Sequence, residues 1–273
     1  MQMAWPAAIV VHARYPPIMG PIHERSDEHT WLIKMVGSGG NEALAAMVYG
    51  SYARGTHDED SDIDVLELVA ADPAPYSRGR VNVTQYTPSH LGQMAQRGSL
   101  FVSHLLTDGV PLIDPHRIME RALAQYRPPE SYDPIWKQLS IAAGAINPAA
   151  PDAERFTDGL CRLAIYTLRT AIYLRALENG APCFDLDLAA QRTGVPGLTE
   201  VLRWRRIDHF STNHLRSLAE MLPKVLSSPI ETQPRSTVSY AVAHASSPDM
   251  AALFATVLGE GKIAYSALTV PPF

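Results

Sequence analysis

The chain has 273 residues, of which 46% are hydrophobic and 19% charged, proportions that exclude a disordered chain or a coiled coil and allow one large or two ordinary domains. A net charge of −5 and a pI near 6.0 argue against a protein that grips polyanions over its whole surface, while leaving room for a local basic patch. Two cysteines, Cys161 and Cys183, are too few for a disulfide framework and lie near no histidine cluster that would suggest zinc, so both read as small buried apolar residues suited to a reducing cytoplasm.

Residues 1–18 show no clear pattern and read as an unstructured extension, with Met19 an alternative start. Their apolar run is broken by Pro6 and lacks a basic lead, which makes a poor secretion signal. No stretch reaches the about 18 uninterrupted apolar residues of a membrane span, so a soluble, cytoplasmic chain is expected. Short apolar or alternating runs predict strands at Ala45–Tyr49, Ile63–Val69, Val81–Thr87 and Val110–Ile113. Between the last two, Thr87 as N-cap and Pro88 at the first position open a helix running through Leu91, Met94, Leu100, Phe101 and Leu105, with Gly98 its weak point. Residues 127–134, rich in proline, read as a linker. Beyond it the pattern turns helical, longest from Glu154 to about Asn179, then at Leu186–Arg192, Leu198–Arg206, Asn213–Val225 and Pro248–Leu258. The expected class is α+β: a mixed sheet with helices over residues 1–126, followed by an all-helical domain over residues 135–273.

Residues 48–69 carry the chemistry. A strand ends at Tyr49, and Gly50 lets the backbone turn sharply and a phosphate come close. Ser51 adds a hydroxyl and an amide, and the start of a helix presents free N–H groups that suit an anion. Arg54 either meets phosphate directly or ties the loop to the Asp58–Asp60 segment. Asp62 and Asp64 are two apart on the next strand, so both carboxylates face one side. Carboxylates held together repel unless a cation joins them, and magnesium, with its preference for one or two aspartates plus phosphate oxygens, is the natural ion. Glu67 has the parity of Ile63 and is not read as a ligand.

The sequence Gly50-Ser51-Tyr52-Ala53-Arg54-Gly55, followed by Ser61-Asp62-Ile63-Asp64-Val65, resembles the minimal nucleotidyltransferases and the wider DNA polymerase β superfamily. The resemblance implies a nucleotidyltransferase domain that moves a nucleoside monophosphate from an NTP or dNTP to an acceptor, with magnesium, or manganese in its place. It assigns Gly50 and Ser51 to phosphate, Ser61 and Arg54 to the same nucleotide, and Asp62 and Asp64 to metal and catalysis. The acceptor class stays open among a small molecule, a protein hydroxyl and a nucleotide end, since such relatives include antibiotic-modifying, toxin–antitoxin and phage-defence proteins. The family also has a third acid on the following strand, and alternation puts Asn82 there. Its amide oxygen can ligate a metal but carries no charge and cannot take a proton. The alternative is therefore a nucleotide-binding regulatory or antitoxin-like module with a partner protein and little catalysis.

Arg162, Tyr166, Arg169 and Tyr173 form one stripe on the long helix, suited either to nucleotide or to a solvated face or seam between domains. Arg162 and Arg169 are accordingly candidate nucleotide contacts. The basic run Arg203-Trp204-Arg205-Arg206 reads as a plain surface helix end, and the Arg203–His209 spacing as chance rather than a nuclease. His57 and Asp58-Glu59-Asp60 read as a solvated acidic turn.

Overall fold

The computed structural model describes residues 26–226, 236–245 and 248–259. The expected extension at 1–18 and the alternative start at Met19 lie outside the described residues.

A five-stranded mixed sheet carries the first half of the chain. Its strands are β1 (Ala43–Tyr49), β2 (Ile63–Val69), β3 (Tyr76–Arg78), β4 (Val81–Tyr86) and β5 (Val110–Ile113), in the order β3-β4-β2-β1-β5. β1 pairs antiparallel with β2 and β5, β3 antiparallel with β4, and β2 parallel with β4. Alternation then divides the side chains between two faces. On one, Val48, Ile63, Val65, Val81 and Val83 pack with Leu32 of α1 (Ser26–Met35) and with Tyr52 and Ala53 of the short helix α2 (Gly50–Arg54). On the other, Met47, Leu66, Leu68 and Tyr86 meet α3 (Pro88–Gln96), α4 (Leu100–Asp108) and α5 (Ile118–Leu123). Glu67 lies fully buried on the α1 side, as its parity requires. Its carboxylate accepts hydrogen bonds from the Gly37 amide, the Tyr76 hydroxyl and the Gln85 amide group.

The single helix expected after Thr87 is two. Thr87 does cap α3, accepting from the His90 amide at 3.2 Å. Gly98, at φ +69°, then ends the run, and Ser99 caps α4 by accepting from the Phe101 amide. A Cβ at Gly98 would lie 2.6 Å from the Arg127 carbonyl oxygen, so the break also lets the chain return past it.

Beyond residue 130 the described chain is helical: α6 (Asp133–Gly144), α7 (Thr157–Glu178), α8 (Leu186–Arg192), α9 (Leu198–Arg203) continued by a 3₁₀ turn (Trp204–Arg206), α10 (Thr212–Leu226), α11 (Thr237–His244) and α12 (Pro248–Val257). Their apolar side chains form one cluster around α7, which is buried on most of its circumference. Thr167 and Thr170 enter that core because each hydroxyl donates to the carbonyl one turn back, at 2.8 and 2.9 Å. Both cysteines are buried and free. Among the described residues no helix is long and apolar enough to cross a membrane.

Candidate active site

The candidate site lies where β1 ends and β2 begins. Tyr49 is extended, and Gly50 turns the chain at φ +75° into α2, which stops one turn later at the left-handed Gly55. A Cβ at Gly50 would sit 3.3 Å from Asp64 Oδ2, so a side chain there would crowd the carboxylate. Tyr49 and Asp64 are partners across β1 and β2. Asp64 and Asn82 are partners across the parallel pair β2–β4, so the two side chains share a face. The Asn82 amide oxygen accepts from the Ser77 hydroxyl at 2.8 Å.

Burial, and after it the Asp62 carboxylate, push the Asp64 carboxyl up to about 6, against the pull of Arg169, Arg205 and Arg54. Asp62, just before β2, is exposed. Among the described residues no group of three or more His, Cys, Asp or Glu side chains gathers to hold a metal. The donor set is a carboxylate pair, one of its members held uncomfortably as an anion. That fits a hard divalent cation that takes its remaining ligands from water or phosphate, and it does not fit a closed zinc or calcium cage.

Asp64 opens on a cleft of about 480 Å³ whose lining includes Gly50, Ser51, Arg54, Ser61 and Arg169 from the sequence reading. Asp62 and Asn82 stand beside it rather than in its wall. Arg162 is not in it. That guanidinium lies over the Phe210 ring, donates to the Asp208 carbonyl and is exposed. The stripe on α7 is real, but Arg162 and Arg169 stand seven residues apart, about 10 Å along the axis at 1.5 Å per residue, and only the later end reaches the cleft. Tyr173 belongs to that end.

Arg54 lines the cleft but does not tie to the Asp58–Asp60 segment. It pairs with Asp108 of α4, and more loosely, at 3.7 Å, with Asp185, the residue that caps α8. Asp108 also meets His104 Nε2 at 3.1 Å, and burial holds that imidazole below its ordinary range while Asp108 pulls the other way. His104 stacks on Phe184 at 4.6 Å, joining α4 to the segment that leads into α8. Ser61 turns its hydroxyl into its own loop: it donates to Asp58 Oδ1 at 2.6 Å and accepts from the Asp58 amide.

The basic run is an exposed helix end, as its composition suggests, and it also borders the cleft. Arg203, Arg205 and Arg206 all line the cleft. Arg203 pairs with Asp187 at 2.7 Å, and Arg206 with Asp58 at 2.8 Å. The Ser61 hydroxyl, then Arg206, hold the Asp58 carboxyl down at about 2; the Asp58–Asp60 turn is exposed, and of its three acids Asp58 lines the cleft. Arg205 and Arg169 differ from the rest: among the described residues neither has a carboxylate within ion-pair distance. Arg205 is exposed at the cleft mouth, where partial desolvation and next the Arg169 charge lower its pKa, and Arg169 Nε is buried without a hydrogen-bond partner. Sequence reasoning missed Arg205. Its signal was the density of arginine over four residues, which one sequence does not distinguish from a solvated face. Arg203 and His209 do not form a joint site, since His209 meets Asp158 instead. A second cavity of about 340 Å³, on the other side of α8, holds none of these groups.

Residues 39–80, which hold β1, the turn, α2, both aspartates and β3, match the family model described as "Nucleotidyltransferase domain". That match makes residues 39–80 similar to nucleotidyltransferase domains. No curated protein matches the chain. Among solved structures, a nucleotidyltransferase-like protein from Exiguobacterium sibiricum is similar at 13% identity over 71% of this chain and 73% of that one, with a TM-score of 0.29.

Proposed function

We propose that the chain binds a nucleoside triphosphate in this cleft and transfers its nucleoside monophosphate to an acceptor hydroxyl, releasing pyrophosphate. The observation that carries the reading is one cleft with a destabilised carboxylate, Asp64, on the sheet side and, on the helical side, Arg169 and Arg205, which among the described residues have no carboxylate within ion-pair distance. A metal–polyphosphate is a ligand that satisfies both. Asp62 and Asp64 would hold magnesium or manganese, which when bound neutralises charge on the phosphates. The amide and hydroxyl of Ser51 bind phosphate oxygens, with Gly50 kept bare so that they can approach. Arg169 and Arg205 bind the departing end of the phosphate chain and stabilise the charge that gathers there. Asn82 orients through its amide oxygen and accepts no proton, so the hydroxyl's proton leaves to solvent or to the substrate. In this reading the halves up to residue 126 and from residue 135 onward act as two walls of one site. Base, sugar and acceptor are properties the acceptor assay would name.

The test is pyrophosphate release from each common NTP and dNTP with magnesium or manganese, comparing the native chain with Asp62→Ala/Asp64→Ala. Turnover that disappears in the double variant supports the transferase, and following the label identifies the acceptor. A second reading rests on Asn82, a neutral amide in register with Asp64. It makes the protein a nucleotide-binding regulatory or antitoxin-like module, and metal-dependent nucleotide binding without any pyrophosphate release would favour it.

A further inference from the structure

Three of the cleft's arginines are already paired with acids, and one of those pairs differs in kind. Arg203 pairs with Asp187 inside the helical region, and Arg54 meets Asp108 and Asp185 close to the core. Arg206 reaches 148 positions back along the chain, to Asp58 in the loop between the two halves of the motif. Its partner is presented like a bound anion. The Ser61 hydroxyl donates to Asp58 Oδ1 at 2.6 Å and fixes the carboxylate, while Arg206 Nη2 donates to Oδ2 at 2.8 Å. Both side chains are about half exposed, at 50% and 55%, and both line the cleft that holds Gly50 and Ser51.

We propose that Asp58 is a specificity-determining residue, an internal anion that occupies Arg206 until a phosphate chain long enough to reach it takes its place. The proposal rests on the reading of the cleft as a polyphosphate site and adds to it a selection by chain length. A single phosphate at Gly50–Ser51 has no need of Arg206 and leaves the pair closed. A longer chain that extends across the cleft meets Arg206 and must displace Asp58. Half-exposed pairs are weak, so the displacement is easy, and a phosphate offers the guanidinium a stronger two-point contact than the carboxylate does. Asp58 therefore lowers affinity for the long ligand only, by the strength of one exposed ion pair.

Isothermal titration of the full chain with inorganic tripolyphosphate and with orthophosphate, in magnesium, tests this. The forms to compare are the native protein, Asp58→Asn, Arg206→Ala and the double variant. Asparagine keeps an oxygen for the Ser61 hydroxyl and removes only the charge, and a melting curve for each form checks that it is folded. Asp58→Asn is expected to tighten tripolyphosphate about 2- to 5-fold, the value of an exposed pair. Orthophosphate binding should not change, and the gain should vanish when Arg206 is already alanine. Equal gains for both anions, a gain that survives in the Arg206→Ala background, no gain, or no tripolyphosphate binding by any form would each overturn the proposal. Pyrophosphate release from nucleoside triphosphates is a separate readout: if it persists while Asp58→Asn gains nothing, only the role of Asp58 falls.

Discussion

Replacing Asp64 by asparagine should make the protein more stable and inactive, and the stabilisation should depend on pH in a defined way. The folded carboxyl is pushed up to about 6 from an ordinary 3.8, burial being the larger cause and Asp62 the next. A carboxyl raised by folding binds its proton more tightly in the native state than in the unfolded one. Stability therefore falls as pH rises from about 4 to about 6 and stays at the lower level above that window. The gap between about 6 and 3.8 corresponds to about 3 kcal/mol at 1.36 kcal/mol per decade, an upper figure for what the charged form costs at pH 7. Asparagine keeps the shape and removes the charge. In metal-free buffer at pH 7.5 the variant should melt several degrees higher, at about 2–4 °C per kcal/mol for a chain of this size. Below about pH 4, where the native carboxyl is protonated in both states, the two proteins should melt together. Added magnesium should raise the melting temperature of the native protein and not of Asp64→Asn. Melting curves by circular dichroism between pH 4 and pH 8 provide the check. A variant that melts no higher at pH 7.5, or an advantage that persists unchanged at pH 4, would refute the account of Asp64 as a strained anion.

Two other substitutions examine the opposite wall and the missing acid. Arg169→Ala should weaken binding of a nucleoside triphosphate about 10- to 100-fold, since a hydrogen bond to a charged group is worth about 1.5–3 kcal/mol. Arg162→Ala, two stripe positions outside the cleft, should leave the affinity unchanged, and titration calorimetry with magnesium present separates the two. Asn82→Asp should raise metal-dependent pyrophosphate release about 10-fold or more by supplying a proton acceptor in register with Asp64, and the oxygen that accepts from Ser77 is retained. Steady-state turnover measures it, and an unchanged or lower rate would remove Asn82 from the reaction.

Much of the sheet could be read from the chain because its residues have little choice. β2 alternates Ile63, Val65 and Glu67 against Asp64, Leu66 and Leu68, and both sets are partly apolar, so period and burial agree at a central strand. Gly50 stands where φ is positive and a carboxylate lies close, which almost no other residue type tolerates. β3 escaped notice because it is three residues long and mostly exposed, held by pairing with β4 rather than by its own pattern. Helix α6 offers little periodic signal, since Ala142, Ala143 and Gly144 face the core by being small. A Cβ at Gly144 would lie 2.2 Å from the Tyr240 hydroxyl, a contact with a residue 96 positions away. The basic run 203–206 is the sharpest case. Its three arginines look solvated in sequence, and whether they face water or a cleft is decided by how α9 packs on α7 and α10, information that no local pattern holds.

The two walls of the cleft share a physical condition that neither shows alone. Half-buried Asp64 has its charge disfavoured by desolvation and then by the Asp62 carboxylate, and exposed Arg205 by desolvation and then by the Arg169 guanidinium. Arg169 and Arg205 attract Asp64 across the cleft and temper its cost, but among the described residues they form no ion pair with it. A cation alone would relieve the acids and add repulsion to the arginines, and a free polyanion would do the reverse. On the proposed reading, a metal–polyphosphate would relieve both, its cation at Asp62 and Asp64 and its anionic end at Arg169 and Arg205. The proposed reading thus calls for a ligand that carries both signs. The stabilisation by metal and nucleotide together should exceed the sum of their separate effects.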